Sequence, residues 1–133
     1  MKIIRFYPIS ILATIGVLYL SFAPPSTFEF AEPVSRFPHA DKAIHFIMFF
    51  VLTLALIFEF FKRNKKTGLL SRKFWIICIV FPIALGGLIE ILQGLFFYPR
   101  AAEWLDWLAD IAGVVVAFFV YLMFKRRGKW HLP

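Results

Sequence analysis

Apolar residues in this chain come in long blocks, and the polar residues gather between them. The blocks run over about Ile4–Ala23, Ala43–Phe61, Phe74–Phe97 and Trp107–Phe124. Each is close to the roughly 20 residues that a helix needs to cross a bilayer core. Val, Ile and Phe would also suit strands, but a membrane strand takes only about 9–11 residues of alternating polarity, so length selects helices. The first block has no ionisable side chain after Arg5. Lys2 and Arg5 before it and Ser21-Phe22-Ala23 after it also have the form of a secretory signal. Pro24 and Pro25 directly behind that triplet oppose cleavage, so an uncleaved span is expected. Pro82 and the Gly86-Gly87 pair in the third block suit a membrane helix against which a neighbour packs closely, with a kink expected near Pro82. The predicted fold is an all-α integral membrane protein: four transmembrane helices in a compact bundle, forming a single domain over residues 1–133.

Composition agrees with that pattern. Hydrophobic residues make up 61% and charged residues 17% of the 133, with a mean hydropathy of +0.78, which excludes a disordered chain or an ordinary soluble domain. Eighteen Phe, four Trp and four Tyr are more rings than a water-soluble chain of this size could bury, and they suit a lipid-facing surface. Cys78 is the lone cysteine, so no intrachain disulfide forms.

The net charge of +7 changes the picture only through its placement. Lys2 and Arg5, the run from Lys62 to Lys73, and Lys125, Arg126, Arg127 and Lys129 all fall on one side of the bundle; only Arg36, Lys42 and Arg100 of the fifteen basic residues fall on the other. By the positive-inside rule, both termini and the second loop are expected to be cytoplasmic. A phosphoinositide or nucleic-acid patch is the other reading of Lys62–Lys73, but a topology anchor accounts for it, and nucleic acid is not an expected partner. Trp104 and Trp107 outside, and Trp75 and Trp130 inside, fit interfacial belts. The proline-bearing first loop, with Pro24, Pro25, Pro33 and Pro38, is the longest connection and is expected to lie over the outer face.

Placed by depth, the polar residues converge. Asp41, Lys42 and His45 lie at the outer start of the second helix, and Asp41 and His45 are four apart, on one face. Glu90 and Gln93, three apart, lie in the outer part of the third. Arg100 and Glu103 follow in the short outer loop, and Asp106 and Asp110, four apart, open the fourth. Gly86, Gly87 and Gly94 flank the Glu90 stripe, and Gly113 with Ala117 continues the Asp106–Asp110 stripe, so the polar faces are also those where helices can approach. A carboxylate facing lipid costs about 2.5–3.5 kcal/mol or more, so Glu90 and Asp110 should face protein or water, and such residues mark a functional site by default. Glu59, near the cytoplasmic end of the second helix, reads as an interfacial residue reaching Lys62 or Arg63.

Three segments then resemble the VanZ-like membrane protein family: DKAIHF (Asp41–Phe46), EILQ (Glu90–Gln93), and RAAEWLDWLADIAG (Arg100–Gly113). The resemblance extends from about Ser21 to Phe124. Where Asp110 stands, the family pattern usually has Asn; a carboxylate there could carry a proton or bind a cation, which an amide does not. The resemblance implies a place in the bacterial cell envelope, in the cytoplasmic membrane, and a link to resistance to the glycopeptide teicoplanin. It supplies no reaction.

Several roles stand open for these residues. Asp41 could orient His45 as general base or metal ligand, or the two could cap and anchor the second helix. Glu90 could act as acid or proton acceptor, or form a buried ion pair with Arg100; Gln93 would orient it. Catalytic chemistry, if any, is assigned to Glu90, His45, Asp106 and Asp110. Arg100 and Lys42, with Gln93 and Asp41, are the substrate-binding set, since Arg offers a bidentate fork and Lys a point charge for phosphate. The expected ligand is a membrane lipid or lipid-linked envelope precursor. The carboxylates outnumber those two cations, so a divalent cation, Mg²⁺ or Mn²⁺, is the candidate cofactor that would reconcile an anion with this pocket. One well-placed His and no Cys argue against Zn²⁺. A small proton-coupled transporter or flippase, as a homodimer, and a non-catalytic scaffold are the alternatives. Almost no ionisable group lies in Val51–Phe58 or Val114–Phe124 to line a transport path.

Overall fold

The computed structural model describes residues 7–23, 39–66, 68–96 and 103–127, which form four helices and no strand. Arg100, the prolines of the first loop and Trp130 lie outside the described residues. The helices are α1 (Pro8–Phe22), α2 (Ala40–Arg63), α3 (Arg72–Phe96) and α4 (Trp104–Arg126). The last three, of 24, 25 and 23 residues, are long and apolar enough to cross a membrane. The first has 15 residues, about 22 Å at the helical rise, and falls short of a core about 30 Å thick. It begins at Pro8, whose fixed φ and missing N–H suit a first turn, so this proline starts the helix instead of interrupting it.

Pro82 acts differently. No N–H is available there to bond the preceding turn, and the chain before it widens into a π-helical stretch over Trp75–Val80. Within that stretch the Phe81 N–H reaches back five residues to the Ile76 carbonyl. What stands near the expected kink is thus a change of helical register, a known way for a helix to take up a defect.

Three cross-helix contacts give the running directions. Glu59 near the end of α2 meets Ser10 at the start of α1. Gln93 near the end of α3 meets Ser21 at the end of α1. His45 near the start of α2 meets Asp110 near the start of α4. Hence α1 and α3 run one way and α2 and α4 the other. One end carries Lys62, Arg63, Lys125 and Arg126; the other carries Asp41, Glu103 and Asp106. We refer to these as the basic and acidic ends.

Between the ends the interior is apolar apart from the Thr53 hydroxyl. Phe49, Leu52, Ile57 and Phe60 of α2, Phe74, Cys78 and Ile89 of α3, and Val114 and Tyr121 of α4 are all buried. Toward the basic end, Phe60, Phe61, Phe74 and Tyr121 stack edge-on and face-on, with centroids 5.3–5.6 Å apart. The outer surface is just as apolar: Leu12, Ile15, Leu88, Leu95, Leu108 and Phe119 are all more than half exposed. Water would penalise that surface, whereas lipid tails cover it at no cost.

The tightest crossing is between α2 and α4. A Cβ placed on Gly113 would strike the Phe46 carbonyl and lie 3.0 Å from the Phe50 nitrogen, so the two backbones meet directly there. Near the basic end, Glu59, expected at the interface, is 3% exposed and turns toward α1. Its carboxylate accepts from the Ile9 N–H (2.9 Å), the Ser10 N–H (2.9 Å) and the Ser10 hydroxyl (2.7 Å). A side chain of α2 thereby satisfies donors at the first turn of α1, which would otherwise be left bare in an apolar setting.

Three substitutions test these contacts by thermal unfolding in mild detergent, the third also by amide exchange. Gly113→Ala should destabilise by about 1–3 kcal/mol, because the contact is backbone and cannot yield. Gly16→Ala, which has nothing within 4 Å of its added carbon, should be neutral or stabilise by up to about 1 kcal/mol. Glu59→Ala should cost roughly 2–3 kcal/mol and speed amide exchange at Ile9 and Ser10; unchanged exchange there would refute the capping role.

Candidate functional site

At the acidic end, three helices bring their polar residues together. His45 comes from α2, Glu90 and Gln93 from α3, and Asp106 and Asp110 from α4, and all five are buried. His45 and Asp110 sit five and six residues inside their helices, about 8–9 Å below the helix ends. Their meeting follows from the α2–α4 crossing: Gly113 lies one turn beyond Asp110, and Phe46, which it touches, follows His45. A second glycine makes room on α3, since a Cβ on Gly86 would come within 2.6 Å of the Asp110 Oδ2.

The charged groups form two layers. In the outer one, the Lys42 ammonium lies 2.8 Å from Asp41, 3.1 Å from Glu103 and 3.3 Å from Asp106. The inner layer holds His45, Glu90 and Asp110, which can each offer one ligand atom such that the three lie within 4.8 Å of one another. His45 Nδ1 is 2.9 Å from the Asp110 Oδ1, and its Nε2 is 3.7 Å from the Asp106 Oδ2, so the imidazole links the layers. Glu90 Oε2 accepts the backbone N–H of Glu103 at 3.0 Å, tying α3 to the entry of α4. Two inner oxygens, Glu90 Oε1 and Asp110 Oδ2, are buried without a hydrogen-bond partner.

Several pairings differ from those the spacing suggests. Asp41 shares a face with His45 yet is 51% exposed at the helix start and bonds to Lys42, while the carboxylates that hold His45 come from α4. Nor does Asp41 cap the helix: the N-cap position belongs to His39, whose backbone takes a left-handed conformation at φ 62°. Gln93 donates to the Ser21 carbonyl at 2.7 Å and so tethers α1, instead of orienting Glu90. Gly94 is exposed. Arg100 falls outside the described residues.

Beside the inner layer, α3 and α4 enclose a groove of about 520 Å³ lined by Ala84, Gly87, Leu88, Ile91, Trp104 and Trp107, with Glu90 and Glu103 also on its wall. Leu88, Ile91 and Trp104 are more than half exposed, so the groove opens onto the lipid-facing surface. The Trp107 indole N–H donates to the Ile83 carbonyl at 3.0 Å, and Gly87 leaves space for the ring, whose atoms come within 3.3 Å of where its Cβ would be. The indoles assigned above to an interfacial belt are therefore also groove walls. The sequence hint was their spacing of three, which puts both on one face beside Glu103.

One substitution series tests the central pair. Asp110→Ala removes the acceptor for His45 and should cost about 1–3 kcal/mol in detergent unfolding, whereas Asp110→Asn keeps that acceptor and should cost less than Asp110→Ala, its amide N–H donors having no partner beside Gly86. No curated protein and no solved structure matches the chain. The VanZ/LLP1 family model matches residues 3–125, nearly the entire sequence with the DKAIHF, EILQ and RAAEWLDWLADIAG segments inside it, and the chain belongs to that family.

Proposed function

We propose that the acidic end binds the head group of an envelope lipid or lipid-linked precursor, with the lipid chain in the α3–α4 groove. The observation that carries this reading is the junction of two unlike surfaces: an apolar groove open to the membrane runs directly onto Glu90 and Glu103. An amphiphile has that same division, and the volume lies in the range of small-molecule sites. Lys42 is already held by three carboxylates, so it organises the rim, and Arg100 is the residue left to meet a phosphate. His45, Glu90, Asp106 and Asp110 lie below, where they supply proton or cation chemistry; no reaction is assigned. With the basic end cytoplasmic, the site faces the outer leaflet of the bacterial inner membrane. A contribution to teicoplanin resistance would act through the precursor and not through the antibiotic.

A transport path would have to continue toward the basic end. Below the cluster stand Phe49, Leu52, Ile57, Ile89 and Val114, all buried and apolar, which weighs against that alternative.

Native mass spectrometry of the full chain in mild detergent tests the binding. The wild type should retain one envelope lipid or prenyl phosphate per chain. Ile91→Trp, which fills the groove, and Arg100→Ala should each lose it. Bulk phospholipid alone, the same in all three proteins, would sink the proposal.

A further inference from the structure

The two layers differ in how their charge is met. Asp41, Glu103 and Asp106 gather around the Lys42 ammonium, an internal cation within 2.8–3.3 Å of each. The inner layer has two carboxylates and an imidazole, and among the described residues no Lys or Arg reaches it. Glu90 is 5% exposed and Asp110 0%, so neither carboxylate lies open to bulk solvent. Each also keeps an oxygen with no hydrogen-bond donor, Glu90 Oε1 and Asp110 Oδ2. Such atoms are expensive in an apolar medium and are normally engaged.

Protonating the carboxyls does not resolve this. A proton on the Asp110 Oδ2 would turn an unmet acceptor into an unmet donor, because that oxygen abuts the bare backbone of Gly86. A divalent ion takes one oxygen from each carboxylate and one nitrogen from the imidazole together. The ligand atoms already lie within 4.8 Å of one another, so bonds of about 2.0–2.2 Å require only small side-chain movements. The imidazole's remaining nitrogen, Nε2, faces a further carboxylate, that of Asp106 at 3.7 Å, the kind of outer support that metal-bound histidines usually have.

We infer that His45, Glu90 and Asp110 form a binding site for a divalent first-row transition ion, Mn²⁺. The mixed nitrogen and carboxylate donors favour it over Mg²⁺, which prefers an all-oxygen octahedron rich in water. The site deepens the head-group reading and rests on it for the ion's role: a cation at this depth sits beside the groove's polar end, where it offers a phosphate the positive charge that the carboxylates withhold. Ion binding itself does not depend on a lipid.

The test uses the purified full chain in mild detergent, stripped with chelator and reloaded with Mn²⁺. One bound ion per chain is expected, and its electron-spin-echo spectrum should show modulation from a directly bound imidazole nitrogen. Zn²⁺ should displace it, and Glu90→Gln and Asp110→Asn should each weaken binding by at least about tenfold. A wild-type spectrum without nitrogen coupling, or binding no tighter than that of a chain carrying both Glu90→Gln and Asp110→Asn, overturns the site. Lipid retained by a chain that binds no ion leaves the head-group reading standing and removes this one. An ion bound with nitrogen coupling, in a chain that holds only bulk phospholipid, upholds the site and removes the head-group reading.

Discussion

The backbone contact between α2 and α4 at Gly113 is the constraint from which the acidic end is built. Helices carrying ordinary side chains keep their axes about 8–10 Å apart, whereas here a main-chain carbonyl of Phe46 occupies the place of a missing side chain. That approach sets His45 within hydrogen-bond range of Asp110 and brings Asp106 to the other ring nitrogen. With α2 and α4 locked, α3 completes the site by offering Glu90, and Gly86 lets it come close enough to cover Asp110. In lipid, where apolar side chains gain little from meeting one another, small residues and polar contacts provide the specificity that the hydrophobic effect provides in water.

Buried glutamates do similar work at both ends. Glu59 on α2 takes up donors at the start of α1, and Glu90 on α3 takes up the Glu103 N–H at the entry to α4. Both spare a helix start the cost of bare N–H groups where solvent is scarce. They differ in what remains. Both Glu59 oxygens are engaged, and the residue is structural; Glu90 keeps one oxygen free of hydrogen bonds at the edge of a groove, and this is why chemistry is looked for there.

Much of this was visible in the order of residues. The apolar blocks of α2, α3 and α4 mark helices by length, and the spacing of Asp106 with Asp110 and of Glu90 with Gln93 puts each pair on one face. Spacing gives a face but not the neighbour it meets. Asp41 and His45 share a face, yet Asp41 sits a turn nearer the helix end and is drawn to Lys42, while His45 lies deep enough to meet α4. Glu59 and Gln93 both turn to α1, because partners 49 and 72 positions away are set by bundle geometry that no local pattern encodes. The short first helix had a different cause: its apolar block begins before Pro8, and hydropathy does not show where a proline starts the helix.

The π-helical stretch in α3 has a further consequence for how this architecture can vary. A turn closed over five residues holds one more residue than an α-turn, so it is equivalent to an insertion absorbed within the helix. An α-helix advances about 100° per residue. Losing one position from Trp75–Val80 would close the wide turn to an α-turn and leave Glu90 and Gln93 on the faces they present to α4 and α1, whereas losing one between Phe81 and Glu90 would rotate the carboxylate by more than a quarter turn. The apolar half of α3 before Pro82 and the polar half after it are thus geared separately. Drift in length on the aromatic side can be taken up or released by the wide turn, which makes that turn the place where a residue can be gained or lost without re-aiming Glu90.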